Sequence, residues 1–472
     1  VQNMKNDCCA IILAAGKGTR MKSEKPKVLA EILFKPMVGY VVEAVRKAGV
    51  EEICAVTGFM SQQVEEYLDT LGNICYAHQT EQKGTGHAVM MARTFLEEHK
   101  GGNVLVICGD TPFMTANTIR HALEQHKSEG NAVTVVTAQV ENPSGYGRIV
   151  RNAAGISKIV EQKDATVSQL QIHEINSGTY WFHVDSLLQM LDQLTTSNAQ
   201  QEYYLTDTVD LALKQGWYVG GYTACTPDII LGANSRKDLH QLSEKMRQKV
   251  LDRLFDEGVE IPCTDGILVS PDAKVGADTV LLPGTILKEN VVIGKHCVIG
   301  PNSLIQNSTL GDRVTFNASQ CYDSVIHSDV GIGPFCHIRP NSEIKSFVHI
   351  GDFVEVKNSV VGEGTGISHL TYVGDSDVGQ NVNFGCGCVT VNYDGVHKNR
   401  CTIGNGAFIG CNTNLVAPVT VGDNAYIGAG STITDGVPEE GLGIARARQV
   451  NIEGFAAKKL AGRKLKYHPD EK

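Results

Sequence analysis

Two periodicities divide the chain. From Cys8 to about Ala233, short apolar runs alternate with stretches of helical spacing. Ala10 to Leu13, Ile53 to Val56, Val104 to Ile107 and Ala132 to Thr137 are runs suited to buried strands. Between them, Pro36 to Ala48, Gly86 to His99 and Thr115 to Lys127 repeat apolar residues at helical spacing. Such alternation predicts an α/β domain around a largely parallel sheet, with ligands at the carboxyl ends of the strands. Ser235 to Glu257 is charged and free of Gly and Pro. Its stripe of Leu239, Leu242, Met246, Val250 and Leu254 predicts a connecting helix.

From Pro262 the period becomes six. Aliphatic residues fall at Val275, Leu281, Leu287, Ile293, Ile299 and Ile305, again from Ile332 through Ile338, Ile344 and Ile350 to Val356, and again from Ile403 through Ile409, Leu415, Val421 and Ile427 to Ile433. A glycine often follows, as at Gly276, Gly294, Gly300, Gly351, Gly404, Gly410, Gly422 and Gly428. A small residue stands four places on, as at Thr279, Cys297, Ser303, Ala407, Thr413, Ala425 and Ser431. A period of six fits neither a helix nor a hairpin meander. It fits a parallel β-helix in which each hexad is one face of a triangular coil, with the aliphatic residue inward and roughly eight or nine coils in all. The glycines are expected to supply the backbone freedom of the corners. Asn392 to Cys401 (NYDGVHKNRC) breaks the period as a projecting loop, a place for function on a rigid scaffold. The expected layout is a first domain over 4–234, a connecting helix and linker over 235–261, a β-helix over 262–454 and a tail over 455–472, basic through Lys458, Lys459, Arg463, Lys464 and Lys466.

Composition adds limits. Of 49 glycines, 26 lie between Pro262 and Gly443, with no three-residue period that would suggest collagen. Aromatic residues make up 6%, in keeping with a narrow prism. The formal charge of −10 argues against a nucleic-acid partner but allows a local basic pocket for an anion. The apolar run Cys8 to Ala15 is far short of the ~20 residues that span a bilayer. Gly16 to Arg20 follows it in place of a cleavage site. We therefore expect no membrane span, and a cytoplasmic protein whose 14 cysteines are reduced. Cys386 and Cys388, without a second ligand pair, are a weak zinc signal and read as structural cysteines.

Leu13-Ala14-Ala15-Gly16-Lys17-Gly18-Thr19-Arg20-Met21 follows the first strand. It is neither G-x-G-x-x-G, because Met21 holds the third glycine position, nor a P-loop. It does offer a triphosphate close backbone approach, free N–H groups and the cations Lys17 and Arg20, with Lys27 shortly after. Lys25 reads as surface charge. The stretch resembles the sugar-nucleotide pyrophosphorylase family, whose L-x-A-G-x-G-T-R-M and following P-K are complete here. The resemblance implies that Leu13, Ala14, Ala15, Gly16 and Gly18 line a nucleotide and that Gln79, Gly84 and Thr85, within QTEQKGTGH, meet uracil. It implies Gly109 and Asp110 at a strand end, with Asp110 and Asn234 as metal ligands. Gly147 (in Tyr146-Gly147-Arg148), Glu161, Asn176 and Asn234 fall where the family contacts sugar and metal. Lys27 and Arg20 would act as catalytic cations on phosphate, beside magnesium bridging phosphate oxygens.

The second half carries FCHIRP (335–340), VEVK (354–357), HLTYVGD (369–375), NVN (381–383) and VNYDG (391–395). With these, the chain resembles, over nearly its whole length, the bifunctional bacterial N-acetylglucosamine-1-phosphate uridyltransferase/glucosamine-1-phosphate N-acetyltransferase family. That implies a left-handed β-helix, a homotrimer with active sites between subunits, and glucosamine 1-phosphate, acetyl-CoA and UTP as substrates. The product, UDP-N-acetylglucosamine, would serve cell-envelope polymers. The ammonium of glucosamine 1-phosphate must lose a proton near pH 7, which suits an imidazole, and His369 is the expected base. Arg339, Lys357, Tyr372 and Asn383 would hold the sugar phosphate. Cys386, Asn392, Tyr393, Cys411, Ala429 and Arg446 would hold coenzyme A. His327, His337 and His349 read as ordinary surface histidines. Gly366 departs from the family's usual Lys, Cys386 and Cys411 stand where Ala and Ser are common, and Phe455 where Trp is frequent. Two alternatives are a single-activity nucleotidyltransferase with a purely structural solenoid and a non-catalytic regulatory subunit. HLTYVGD speaks against the first, and the intact LAAGKGTRM with Asp110 against the second.

Overall fold

A computed structural model describes residues 7–153 and 155–463. Lys464 and Lys466 of the basic tail lie outside the described residues. The chain divides into two units, Val1–Arg253 and Leu254–Lys472.

In the first unit a sheet runs in the order Val219–Thr223, Val133–Gln139, Glu174–His183, Asn103–Cys108, Cys8–Leu13, Glu52–Thr57, Cys75–His78. Cys8–Leu13 pairs in parallel with a neighbour on each side. It is buried on both faces, which is why it reads as a continuous apolar run rather than an alternating one. Ala10 and Ile12 pack into one layer with Val41, Val45 and Ile119. Cys9 and Ile11 pack into the other with Val89, Leu96 and Leu187. The sheet is largely parallel, as expected, and the exception is Glu174–His183, which runs antiparallel to both its neighbours. It also carries the hairpin of Arg148–Asn152 and Gly155–Val160. The expected helix over 86–99 is two, Thr85–Met91 and Arg93–Glu98, broken at Ala92 (φ −86°, ψ 18°). Apolar spacing does not register this break, since Ala88, Val89, Ala92, Phe95 and Leu96 are all buried. The helix Arg236–Asp256 buries Leu242, Met246, Val250 and Leu254 of the expected stripe.

The second unit consists of three stacked sheets of ten, nine and ten strands, every pair parallel. This is the β-helix, with slightly more coils than expected. The stepwise period holds where six-residue faces follow one another, as in Leu281 paired with Ile299. It slips after Ile305 because Leu310, Cys321 and Ile326 each close a five-residue face, and all three point inward. Two more short faces end at Val361 and Val378, and Ile367, Val373 and Phe384 carry the inward column on to Thr390. Thr390 is the polar exception. Its hydroxyl donates to the carbonyl of Gly374 (3.1 Å) and accepts from the Gly374 N–H (2.7 Å). The small residues Thr279, Cys297, Ser303, Ala407, Thr413, Ala425 and Ser431 are all buried.

The glycines after the aliphatic residues have a different role from the one expected. Of the eight, only Gly300 has positive φ. At Gly276 a Cβ would lie 2.6 Å from the backbone of Gly294 in the next coil, so the requirement is close stacking. The left-handed corners are shared by Asn and Asp, such as Asp278, Asn302, Asn381 and Asn424, and by other glycines, such as Gly284, Gly364 and Gly406. Asn and Asp are the non-glycine residues most at ease there.

The prism is filled by aliphatic residues apart from a few larger rings, and Phe316 is fully buried among them. Phe316→Ala should lower the stability of the second unit by about 3–5 kcal/mol. Denaturant unfolding checks this, and a loss under about 1 kcal/mol would mean that the interior collapses around the void.

Candidate active sites

At the carboxyl ends of the central strands lies a cavity of about 460 Å³. It is lined by Leu13, Ala15, Gly16, Gly18, Arg20, Lys27, Gln79, Gly84, Thr85, Asp110 and Asn234, together with Val28, Gln82, Ala88, Cys108 and Glu202. The loops are hung on the strand ends by the backbone. Ala14 N–H donates to the Val56 carbonyl (2.8 Å), and Gly109 N–H donates to that of Leu13 (2.9 Å). Ala14 and Gly109 are thus the joints that set these loops on the strand ends. Gly18 has φ +62°, and a Cβ there would sit 2.6 Å from the Lys27 side chain. Glycine therefore lets Lys27 cross beneath the loop. Lys27 Nζ reaches Asp110 Oδ2 at 2.5 Å and donates to Asn234 Oδ1 at 2.7 Å. Arg20 lies exposed on the rim, while the Lys17 ammonium rests 5.4 Å from the centre of the Phe59 ring.

Among the described residues no group of three or more His, Cys, Asp or Glu is placed to hold a metal. Asp110 and Asn234 nonetheless present two oxygens to one cation, the Lys27 ammonium. A few protein oxygens completed by phosphates and water are the usual shell of Mg²⁺, so this donor set fits that ion.

Gln79 is buried, and its amide donates to the carbonyl of Gly84 (3.1 Å). Thr85 Oγ1 accepts from Leu205 N–H (3.2 Å). These bonds hold the 79–87 loop against the cavity. A second cavity of about 230 Å³ shares Leu13, Thr85 and Cys108 with the first and is lined by Gly147, Glu161, Asn176 and Tyr180. Asn176 Nδ2 donates to Tyr180 Oη at 2.6 Å. Burial raises the Glu161 carboxyl above the ordinary range and pushes the Cys108 thiol up to about 12.

In the β-helix, His369 ends the strand Gly366–His369 at a corner. Corner hydrogen bonds link successive coils there. Leu370 N–H donates to Asp352 O, Gly387 N–H to His369 O, Asn412 N–H to Cys386 O and Gly430 N–H to Cys411 O. Arg446 Nη1 then donates to Ala429 O at 2.8 Å. Asp352, His369, Cys386, Cys411, Ala429 and Arg446 thus form one edge. His369 Nδ1 lies 2.8 Å from Asp352 Oδ1, and this bond holds the Asp352 carboxyl below its ordinary range. Asn383 stands on one adjoining face beside Gly366, where a Cβ would come only within 3.8 Å of its Oδ1.

The next face carries Arg339, Lys357 and Tyr372. Arg339 pairs with Glu355 (2.7 Å) and Lys357 with Asp375 (3.4 Å). Asp375 is buried and accepts from Asn358 Nδ2 and Asn392 Nδ2, while its carbonyl accepts from Cys401 N–H. Burial alone would raise its carboxyl, but these amides and Lys357 hold it below the ordinary range. The loop over 392–401 is therefore anchored at its root. Tyr393 is exposed and donates to Gly395 O (2.6 Å) within that loop.

Sequence reasoning missed Gln82, whose amide donates to Ala15 O (2.7 Å), as well as Asp352 and Asp375. Gln82 and Asp375 both lie inside quoted motifs. Asp352 lies 17 residues before His369, one coil back, so coil length was its only signal.

A nucleotidyl transferase family model matches residues 9–223, and a bacterial transferase hexapeptide (six repeats) model matches residues 272–307 and 400–435. The chain is 48% identical over 447 residues to the bifunctional protein GlmU of Geobacillus sp. strain WCH70, covering 94% of this chain and 97% of that one. It is 50% identical over 457 residues to GlmU of Geobacillus thermodenitrificans, covering 96% and 98%. With GlmU of Clostridium acetobutylicum it shares 46% over 452 residues, again 96% and 98%. Similarity of this extent joins both units to the same relatives, so the chain belongs to the GlmU family of bifunctional transferases, a nucleotidyltransferase domain followed by a left-handed β-helix of hexapeptide repeats.

Proposed function

We propose that the chain makes UDP-N-acetylglucosamine in two reactions, one in each unit. In the β-helix an acetyl group passes from acetyl-CoA to the nitrogen of glucosamine 1-phosphate. His369 takes the proton that keeps this nitrogen from attacking. Arg339 and Lys357 hold the sugar phosphate, and Tyr372 and Asn383 orient the sugar. Coenzyme A lies along Cys386, Cys411, Ala429 and Arg446, with Asn392 and Tyr393 from the loop. In the first unit a phosphate oxygen of N-acetylglucosamine 1-phosphate attacks the α-phosphorus of UTP, and pyrophosphate leaves. Both reactants are anionic, so charge neutralisation and alignment do most of the work.

Lys27 and Arg20 supply fixed positive charge, while the backbone at Gly16 and Gly18 comes close to phosphate. Gln79, Gly84 and Thr85 read the base, and Gly147, Glu161 and Asn176 face the sugar. Asp110 and Asn234 would hold Mg²⁺, which supplies Lewis-acid stabilisation of the phosphate charge when bound. The observation that carries the proposal is that each unit gathers its own expected residues. One group surrounds the cavity at the strand ends, and the other follows the corner through His369. The stacked rings of Phe335 and Phe353 (5.3 Å) and the exposed Phe347 and Leu370 offer apolar surface for a homotrimer. Among the described residues no helix is long and apolar enough to cross a membrane. Substrates such as UTP and acetyl-CoA fit a cytoplasmic enzyme.

The test supplies purified protein with glucosamine 1-phosphate, acetyl-CoA, UTP and Mg²⁺ and measures free thiol and pyrophosphate separately. His369→Ala should reduce thiol release by about 10²- to 10⁴-fold, the usual contribution of a general base. Pyrophosphate release from added N-acetylglucosamine 1-phosphate should be spared. Asp110→Asn should do the reverse, and a folded single variant that loses both would contradict two independent sites. Chelation of Mg²⁺ should stop pyrophosphate release and leave thiol release within about twofold, since only the first site needs the metal. Equal loss of both would refute that division.

A further inference from the structure

We propose that Asp352 is a positioning residue for acetyl transfer, fixing the orientation and tautomer of His369 so that Nε2 is the basic nitrogen offered to the substrate. This rests on His369 being the base. A carboxylate can only accept a hydrogen bond, so at 2.8 Å from Asp352 Oδ1 the Nδ1 atom carries the proton. Nε2 then keeps its lone pair.

The pairing is set by the backbone. Asp352 and His369 are register partners on adjacent parallel strands, and Leu370 N–H donates to Asp352 O (3.0 Å) just past the histidine. At Gly351 a Cβ would sit 2.0 Å from the carbonyl oxygen of Ser368, so the two strands approach here as closely as glycine permits. Stability is a poor explanation for the pair. The side chains are 59% and 43% exposed, and ion pairs at such exposure contribute about 0–1 kcal/mol. His327 also has a carboxylate partner, Glu343, but that carboxylate is shared with Lys345. Among the described cationic side chains, Asp352 is paired with His369 alone, on the edge that continues to Cys386, Cys411 and Ala429.

The ammonium first loses one proton through Nε2 to solvent and becomes a neutral amine. Nε2 then removes a second proton as the amine nitrogen bonds to the acetyl carbon. The C–S bond then breaks, and the coenzyme A thiolate leaves with the electron pair and takes the proton from the imidazolium. Asp352 remains ionised throughout and steadies the imidazolium charge.

Steady-state thiol release by Asp352→Ala should show kcat reduced about 10- to 100-fold, part of what a general base supplies. The KM for glucosamine 1-phosphate should stay within about twofold, and the melting temperature and pyrophosphate release should be unchanged. ¹⁵N spectra of histidine-labelled protein, with His369→Ala for assignment, should show neutral His369 protonated on Nδ1, and on Nε2 once Asp352 is removed. A kcat within threefold of the parent, a loss confined to KM, or an Nε2-protonated His369 in the unaltered protein would overturn the proposal. The last of these needs no variant to fold. Full thiol release by His369→Ala would instead overturn the identity of the base.

Discussion

In a parallel pair, the residues that end one strand lie beside those that end the next. Both units of this chain depend on that register. In the first, Cys8–Leu13 is flanked in parallel by Asn103–Cys108 and Glu52–Thr57, with Cys75–His78 parallel beyond the latter, so four loops leave the sheet side by side. Gly18, Asp110 and Gln79 can then surround one cavity although they are far apart in sequence. In the second, every face stacks on the face one coil earlier, and a corner position is repeated as a vertical row. Asp352, His369, Cys386 and Cys411 share such a row because 16 to 18 residues separate most successive coils, the 392–401 loop adding more. A slip of one residue would turn the inward column outward, which is why the five-residue faces still deliver Leu310, Cys321 and Ile326 to the interior.

Charge is handled differently in the two places. At the strand ends, Lys27 bridges Asp110 and Asn234. The same oxygens suit a divalent ion, and in the proposed reaction Lys27 turns to phosphate when that ion is bound. On the β-helix the fixed element is Asp375. It is buried with two amides and Lys357 around it, and removing it would take from those groups their shared acceptor. It thereby links the projecting loop to the proposed phosphate-binding face. The exposed Asp352–His369 pair is a different kind of contact, contributing little to stability and acting through the direction it gives one ring.

Much of this was legible in the sequence, for physical reasons. A strand buried on both faces must be apolar throughout, so Ala10 to Leu13 was visible. A prism that admits one aliphatic residue per face imposes a period that chance does not imitate. The failures have equally local causes. Glu174–His183 looks like any other strand, because direction in a sheet leaves no mark on composition. Ala92 breaks a helix without disturbing its buried stripe. The glycines of the hexads were assigned to corners because glycine tolerates positive φ, whereas here most are needed where a Cβ would strike the next coil. Asp352 is an ordinary acidic residue until the coil is closed, and only three-dimensional register brings it to His369.

The central claim is that two complete and separable sites are joined by a free intermediate. Mixing the His369→Ala and Asp110→Asn proteins tests it most directly, with glucosamine 1-phosphate, acetyl-CoA, UTP and Mg²⁺ supplied and UDP-N-acetylglucosamine measured. Neither protein alone should form product, while the mixture should restore formation to within a few-fold of the parent protein. A mixture as inactive as its components would contradict the account.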